Sequence, residues 1–330
     1  MHHPNTFRTA SVKRQRGIAI VTVLLVVALA ATLAASVAWR ELVAVRDVEN
    51  QRLSIETMWV ERAAVEWARA TLREQAATSN VAFAGQAWSS PVKDVQLRDL
   101  LPADVATVNS ELSRAYISGE VEDAQAKFNL ADLVSRPGPS EPWQINGDGV
   151  LSYRRLLGNL SLNPALAQLT ASYILRSLSD GRGSNDWPMQ LVSVQDLVRV
   201  AGYDAATVKA LSPFVTILPD FTAVNANTAA EPTLVAAIPT LSASQAHMLV
   251  DRRTSAYFVS TGDIALVLSP TLAGAELPAG AIVGVNSSYF IVHCRIHSAR
   301  INARIDTLIA RYGIGNFSWT SVIWVHRLVH

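Results

Sequence analysis

The sequence predicts an α/β (α+β) chain with one long N-terminal helix, a small antiparallel sheet, and a large all-helical domain inserted into that sheet. Three observations lead there. Between Ile18 and Asn80 no Pro or Gly interrupts the chain, so a single helix can run the whole distance. Alternating strand patterns lie far apart, at 115–123 and then at 289–296, 301–311 and 320–327. The stretch separating them carries helical spacing at 153–157, 164–178 and 193–200. Strands that pair across so long an insertion need its two ends close together, as inserted domains commonly have them.

The N-terminal region, residues 1–17, holds the bases Arg8, Lys13, Arg14 and Arg16 and no acid. The 330-residue chain has 28 Lys and Arg against 27 Asp and Glu, a formal +1; without those four bases it has 24 against 27 and stands near −3. Such a balance offers no overall basic field to a phosphate backbone, so nucleic acid is not an expected partner. Half the residues are hydrophobic and 17% are charged, as in folded protein rather than a disordered chain. The single Cys294 excludes an intramolecular disulfide and a Cys-based zinc cluster.

From Ile18 to Ala38 no side chain is charged, and only Thr22, Thr32 and Ser36 are polar. As a helix this run spans about 31 Å, close to the hydrocarbon thickness of a bilayer. Bases precede it, whereas Arg40, Glu41, Arg46, Asp47 and Glu49 give a mixed flank beyond it, so the N-terminus faces the cytoplasm. The run is too long for an ordinary secretory signal, and helical apolar spacing continues through Leu42, Val45, Val48 and Ile55. Trp39 reads as an interfacial anchor. Trp59 and Trp67, eight apart, are expected to dock on the body of the same chain.

The junction Lys13-Arg14-Gln15-Arg16-Gly17 followed by Ile18-Ala19-Ile20-Val21-Thr22 resembles the signals that prepilin peptidase cuts on the N-terminal side of an apolar helix. The resemblance implies cleavage between Gly17 and Ile18, with N-methylation of Ile18. It also marks the fifth mature residue, Thr22, where pilins and most pseudopilins carry a Glu whose buried carboxylate pairs with a neighbour's terminal amine. A subunit without that carboxylate suits the end of a filament. The pseudopilin known for this departure is the general secretion pathway protein K, the large minor pseudopilin of type II secretion. Further matches follow in order: Met58 to Ala68, Ile117 to Leu130 with Phe128-Asn129-Leu130, Pro213 to Thr216, and Val224 to Ala229.

Membership of that family implies a pseudopilin fold and a non-enzymatic role at the tip of the type II secretion pseudopilus, initiating its assembly and supporting protein export across the outer membrane. It implies as partners the I- and J-class minor pseudopilins, the major pseudopilin, prepilin peptidase and the inner-membrane secretion platform. The location implied is the inner membrane, crossed once, with the N-terminus cytoplasmic and the bulk periplasmic. The expected organisation is a leader at 1–17, a transmembrane helix at 18–38 and its periplasmic continuation at 39–78. The body follows at 79–130 and 270–330, with the inserted helical domain at 131–269.

Within that domain, 217–269 is similar to a helix-hairpin-helix module. Its hairpin, Pro239-Thr240-Leu241-Ser242-Ala243, lacks the Gly that lets hairpin amides approach a phosphate. Packing or protein contact is the expected role; the alternative is a membrane-anchored periplasmic binding module that holds DNA through this segment. The family resemblance also brings calcium. The corresponding stretch, Ser179 to Trp187, keeps two carboxylates, Asp180 and Asp186, where calcium takes several oxygen ligands. A solvated loop is the competing reading, and Asn146-Gly147-Asp148-Gly149 reads as a turn. Ser193 with Asp196 fits a helix N-cap. His293 and His297 lie about 13 Å apart along one strand and cannot share a metal. No catalytic elbow, Walker loop or zinc-protease motif is present.

Overall fold

The computed structural model describes residues 16–100, 111–178, 187–269 and 276–329. Helix α1 runs Arg16–Thr78 without a break, as the absence of Pro and Gly beyond Ile18 allows. The chain divides after Met58 into two units. In the first, every described side chain from 19 to 50 is exposed, although most are aliphatic. In the second, α1 buries Glu61, Val65, Ala68, Leu72 and Ala76, a stripe at helical spacing. Trp59 and Trp67 lie off that stripe and are 60% and 53% exposed. Neither is buried as docking would have it: small and aliphatic side chains make the close approach, Trp67 only edges the groove beside them, and Trp59 is left in the open.

The sheet has five antiparallel strands in sequence order: β1 (Val92–Gln96), β2 (Tyr116–Asp123), β3 (Tyr289–His297), β4 (Asn302–Tyr312) and β5 (Trp319–Val329). Four match the alternating patterns; β1 is an addition, short and bulged, with no alternation to show it. Polar ties hold α1 to β5. Arg69 donates to the hydroxyl and carbonyl of Thr320, Ser318 donates to the Arg73 carbonyl, and Arg327 pairs with the buried Glu61. Between helix and sheet runs an apolar groove of about 460 Å³, lined by Val60, Ala64, Trp67, Ile117, Val121 and Val292 among others.

β2 pairs with β3 across the whole helical region, and Asp123 stands opposite Phe290. Entry and exit of the insertion are therefore neighbours. The inserted helices are α2 (Gly147–Asn159), α3 (Leu166–Leu178), α4 (Ala205–Leu211), α5 (Glu231–Ala237), α6 (Ala243–Ser255) and α7 (Thr261–Leu268). The 193–200 segment forms a 3-10 helix, Val194–Arg199, rather than an α-helix. Its cap is built on Asp196, which accepts from the amides of Val192 and Ser193. The core joins Tyr153, Leu156, Ile174, Leu211 and Leu234 to Val81, Phe128, Val283 and Val285, so apolar packing continues past both ends of the expected 131–269 segment.

Asn146 to Gly149 is the start of α2. Asn146 is its N-cap residue and donates to the Asp132 carbonyl. A Cβ at Gly149 would lie 2.1 Å from that carbonyl oxygen, whereas one at Gly147 would meet nothing within 4 Å. Gly149→Ala is therefore expected to destabilise the fold by about 3 kcal/mol through overpacking against backbone. Gly147→Ala should be neutral or stabilise by up to about 1 kcal/mol. Thermal unfolding of the two variants measures the contrast, and equal effects would refute it.

Candidate functional site

The apolar half of α1 is the first candidate. Its most apolar window has a mean hydropathy of 2.6 and none of it is buried within the chain. In hydrocarbon an unpaired hydroxyl is costly, and each polar side chain here turns back on its own helix. Thr22 donates to the Ala19 carbonyl at 2.9 Å, Thr32 to Leu29 at 2.9 Å and Ser36 to Leu33 at 2.7 Å. Gly17 and Ile18, the expected cleavage pair, lie within the first turn of the helix. The leader bases Arg8, Lys13 and Arg14 lie outside the described residues. Trp39, 70% exposed, stands at the end of the apolar run.

The second candidate is the seam between sheet and helical region, where the motif residues meet. Phe128 and Asn129 pair in parallel with Val215 and Thr216, and Val224 and Asn225 pair in parallel with Val283 and Gly284. Asn129, fully buried, donates to the Asp220 carbonyl and the Thr222 hydroxyl and accepts from the amides of Ala131 and Leu218. Asn225 donates to the Ala82 carbonyl, Asp123 and Ser287. Asn227 makes a two-way pair with the backbone of Phe258. These side chains do the work of backbone pairing where the chain has left regular structure.

Two buried carboxylates belong to this seam. Asp123 accepts from Asn225, Thr228 and Ser287 and from the Gln125 amide; burial outweighs those bonds and raises its pKa. Burial also pushes Asp132 to about 8, although the Thr222 amide and Asn129 donate to it. Arg311 donates to the carbonyls of Ser287 and Asn80 and lies over the Phe290 ring at 5.1 Å. None of this points toward solvent or a reacting group: it is a lock.

On the opposite side of the sheet, His293 bridges Asp306 at 2.7 Å and Glu122 at 3.2 Å, and Lys127 pairs with Glu122 at 2.6 Å. Hydrogen bonds to Asp306 and Glu122 lift His293 to about 9. His297 instead stacks on Tyr116, ring centroids 5.6 Å apart. Cys294 is buried, and burial pushes its thiol up to about 12, which leaves it inert at neutral pH.

The helix-hairpin-helix-like segment does fold as α5, a hairpin and α6. Thr240 sits in the hairpin at φ +65°, the left-handed region that glycine favours. Its arginines are occupied within the chain: Arg253 donates to the carbonyls of Ala226 and Ala229, and Arg252 to that of Ala256. Asp180 and Asp186 lie outside the described residues. Among the described residues no group of three or more His, Cys, Asp or Glu side chains is placed to hold a metal ion.

With this geometry in view, two family models match the chain, both described as type II secretion system protein K, over residues 126–220 and 224–283. The chain is 28% identical over 273 residues to the type II secretion system protein K of Pseudomonas aeruginosa, covering 76% of this chain and 75% of that protein. It is 29% identical over 236 residues to the Klebsiella pneumoniae protein of the same name, covering 65% and 67%. Its fold is similar to a chain in the crystal structure of the GspK-GspI-GspJ complex from the type 2 secretion system of enterotoxigenic Escherichia coli. The TM-score is 0.63 at 20% identity, over 85% of this chain and 99% of that one.

The His293 bridge has a definite pH signature. Its folded pKa of about 9 stands above the ordinary 6.5, so its stabilisation is complete below pH 6.5 and is lost as pH rises through about 9. His293→Gln is expected to lower Tm by a few degrees at pH 6 and to converge on the parent by pH 10, followed by circular dichroism of the detergent-solubilised chain. A pH-independent difference would show that the charged imidazolium is not what stabilises.

Proposed function

The chain belongs to the type II secretion system protein K family, and on that footing we propose that it is the minor pseudopilin at the tip of the pseudopilus, where it starts assembly and supports export. The family is one of non-enzymatic pseudopilins, in keeping with a buried polar seam that locks segments together. One observation carries the proposal: α1 continues without a break from an apolar half that buries nothing within its own chain into a segment docked against the sheet. Such a helix is completed by other molecules, lipid along the apolar run and neighbouring helices beyond it.

Thr22 supports the end position. Its hydroxyl closes on Ala19 and supplies no carboxylate to neutralise a neighbour's terminal amine. The E. coli complex of matching fold holds a K, an I and a J protein; by that likeness the immediate partners of this chain are the I- and J-class minor pseudopilins. The major pseudopilin, prepilin peptidase and the inner-membrane platform complete the set. In this reading the N-terminus is cytoplasmic, the body periplasmic, and the leader removed between Gly17 and Ile18.

Mass spectrometry of the mature N-terminus tests the reading directly. The expected chain begins at an N-methylated Ile18, and Gly17→Ala is expected to leave the leader attached. A mature chain beginning elsewhere, or normal processing of Gly17→Ala, would refute it.

A further inference from the structure

One register row of the sheet brings like charges together. Arg295 on β3 lies directly opposite Arg304 on β4, with Ser118 of β2 next in the row. Lys93 of β1 lines the same hollow, about 290 Å³ in volume, together with Ser118, Glu120 and both arginines. Like charges directly opposite one another destabilise a sheet. Arg304 reaches Asp306 only at 3.6 Å, and that carboxylate is already bonded to His293 at 2.7 Å. Among the described residues, Lys93 and Arg295 make no ion pair. The hydroxyl of Ser118 is turned to Asp94 at 2.8 Å.

A row that keeps these cations converging, against the sheet's own pairing preference, is arranged for an anionic group from outside. Its surroundings select the anion. Glu120 lines the hollow, and Asp94 and Asp306 stand beside it, so an extended polyanion or an anionic membrane surface meets acids on several sides. A single carboxylate avoids them, and its two oxygens match the guanidinium fork.

We propose that this hollow receives an aspartate or glutamate side chain of a partner polypeptide. The assignment rests on the assembly role above for the source of that carboxylate, while the hollow itself is built by this chain alone. Salt weakens such contacts, so the test is run at low ionic strength.

A capped peptide carrying a single glutamate among alanines and serines is titrated into the detergent-solubilised full chain, beside its glutamine counterpart and inorganic phosphate. The glutamate peptide is expected to bind saturably, and the glutamine peptide at least about tenfold more weakly. Arg295→Gln and, independently, Lys93→Gln are each expected to weaken glutamate-peptide binding by about tenfold. Arg295→Gln should also leave Tm unchanged or raise it, because it relieves the opposition to Arg304. Equal binding of the two peptides, indifference to both substitutions, or phosphate binding more tightly than the glutamate peptide overturns the proposal. So does a lower Tm in Arg295→Gln, which would make the arginine part of the fold. Copurification of the parent chain with other pseudopilins is measured alongside; its failure with peptide binding intact would sink the assembly role and leave the hollow assigned.

Discussion

Asp123 ends the second strand, and its buried carboxylate accepts hydrogen bonds from Asn225, Thr228 and Ser287, so segments far apart in sequence are held by one side chain. Arg311, on the fourth strand, donates to the Ser287 carbonyl beside it, and Asn225 carries the link on to Ala82. Removing a single partner from a buried, hydrogen-bonded group typically costs about 1–3 kcal/mol, because the atom left unsatisfied has no water to turn to. The sheet, the segment after α1 and the helical region therefore stand or fall together at this point. The apolar core of the helical region likewise takes in segments that flank the sheet, at Val81, Phe128 and Val285.

Much of this was legible in the sequence because its signals are periodic. The missing Pro and Gly between Ile18 and Asn80 foretold α1, and alternation foretold β2 to β5 nearly to their ends. The remainder was hidden for physical reasons. β1 is five residues at an edge, bent by a bulge, so it has no alternation to display. Trp59 and Trp67 were misjudged because eight-residue spacing says that two side chains share a side of a helix and not which side the protein covers. The small residues Ala68 and Ala76 settled that question, since they allow helix and sheet to approach closely.

The candidate site divides in the same way. The expected cleavage pair, Gly17 and Ile18, and the position of Thr22 rest on a linear pattern alone. The bridge of Glu122, His293 and Asp306 came from three strands in register, and no spacing along the chain announces it. Arg253 lies in the helix-hairpin-helix-like segment, whose expected role is packing, and its donors go to the carbonyls of Ala226 and Ala229. The Phe128-Asn129-Leu130 and Val224-Asn225 motifs that carried the family resemblance are the pins of the seam. A linear signature can thus mark where a fold is fastened rather than where it acts.

The pairing of β2 with β3 bears on how the molecule is made. Ser287 and Asp123, which fasten that pairing, are 164 residues apart, and contacts of such separation slow folding because the loop must close before anything is gained. Until Tyr289 and the strands after it are available, β2 has an open edge and the groove beside α1 has only part of its wall. A nascent chain emerging N-terminus first would thus hold its long helix and most of its helical region before its sheet could close. The strands from Tyr289 onward act as the closing step of folding, and their loss would leave β2 an exposed edge rather than a smaller finished sheet.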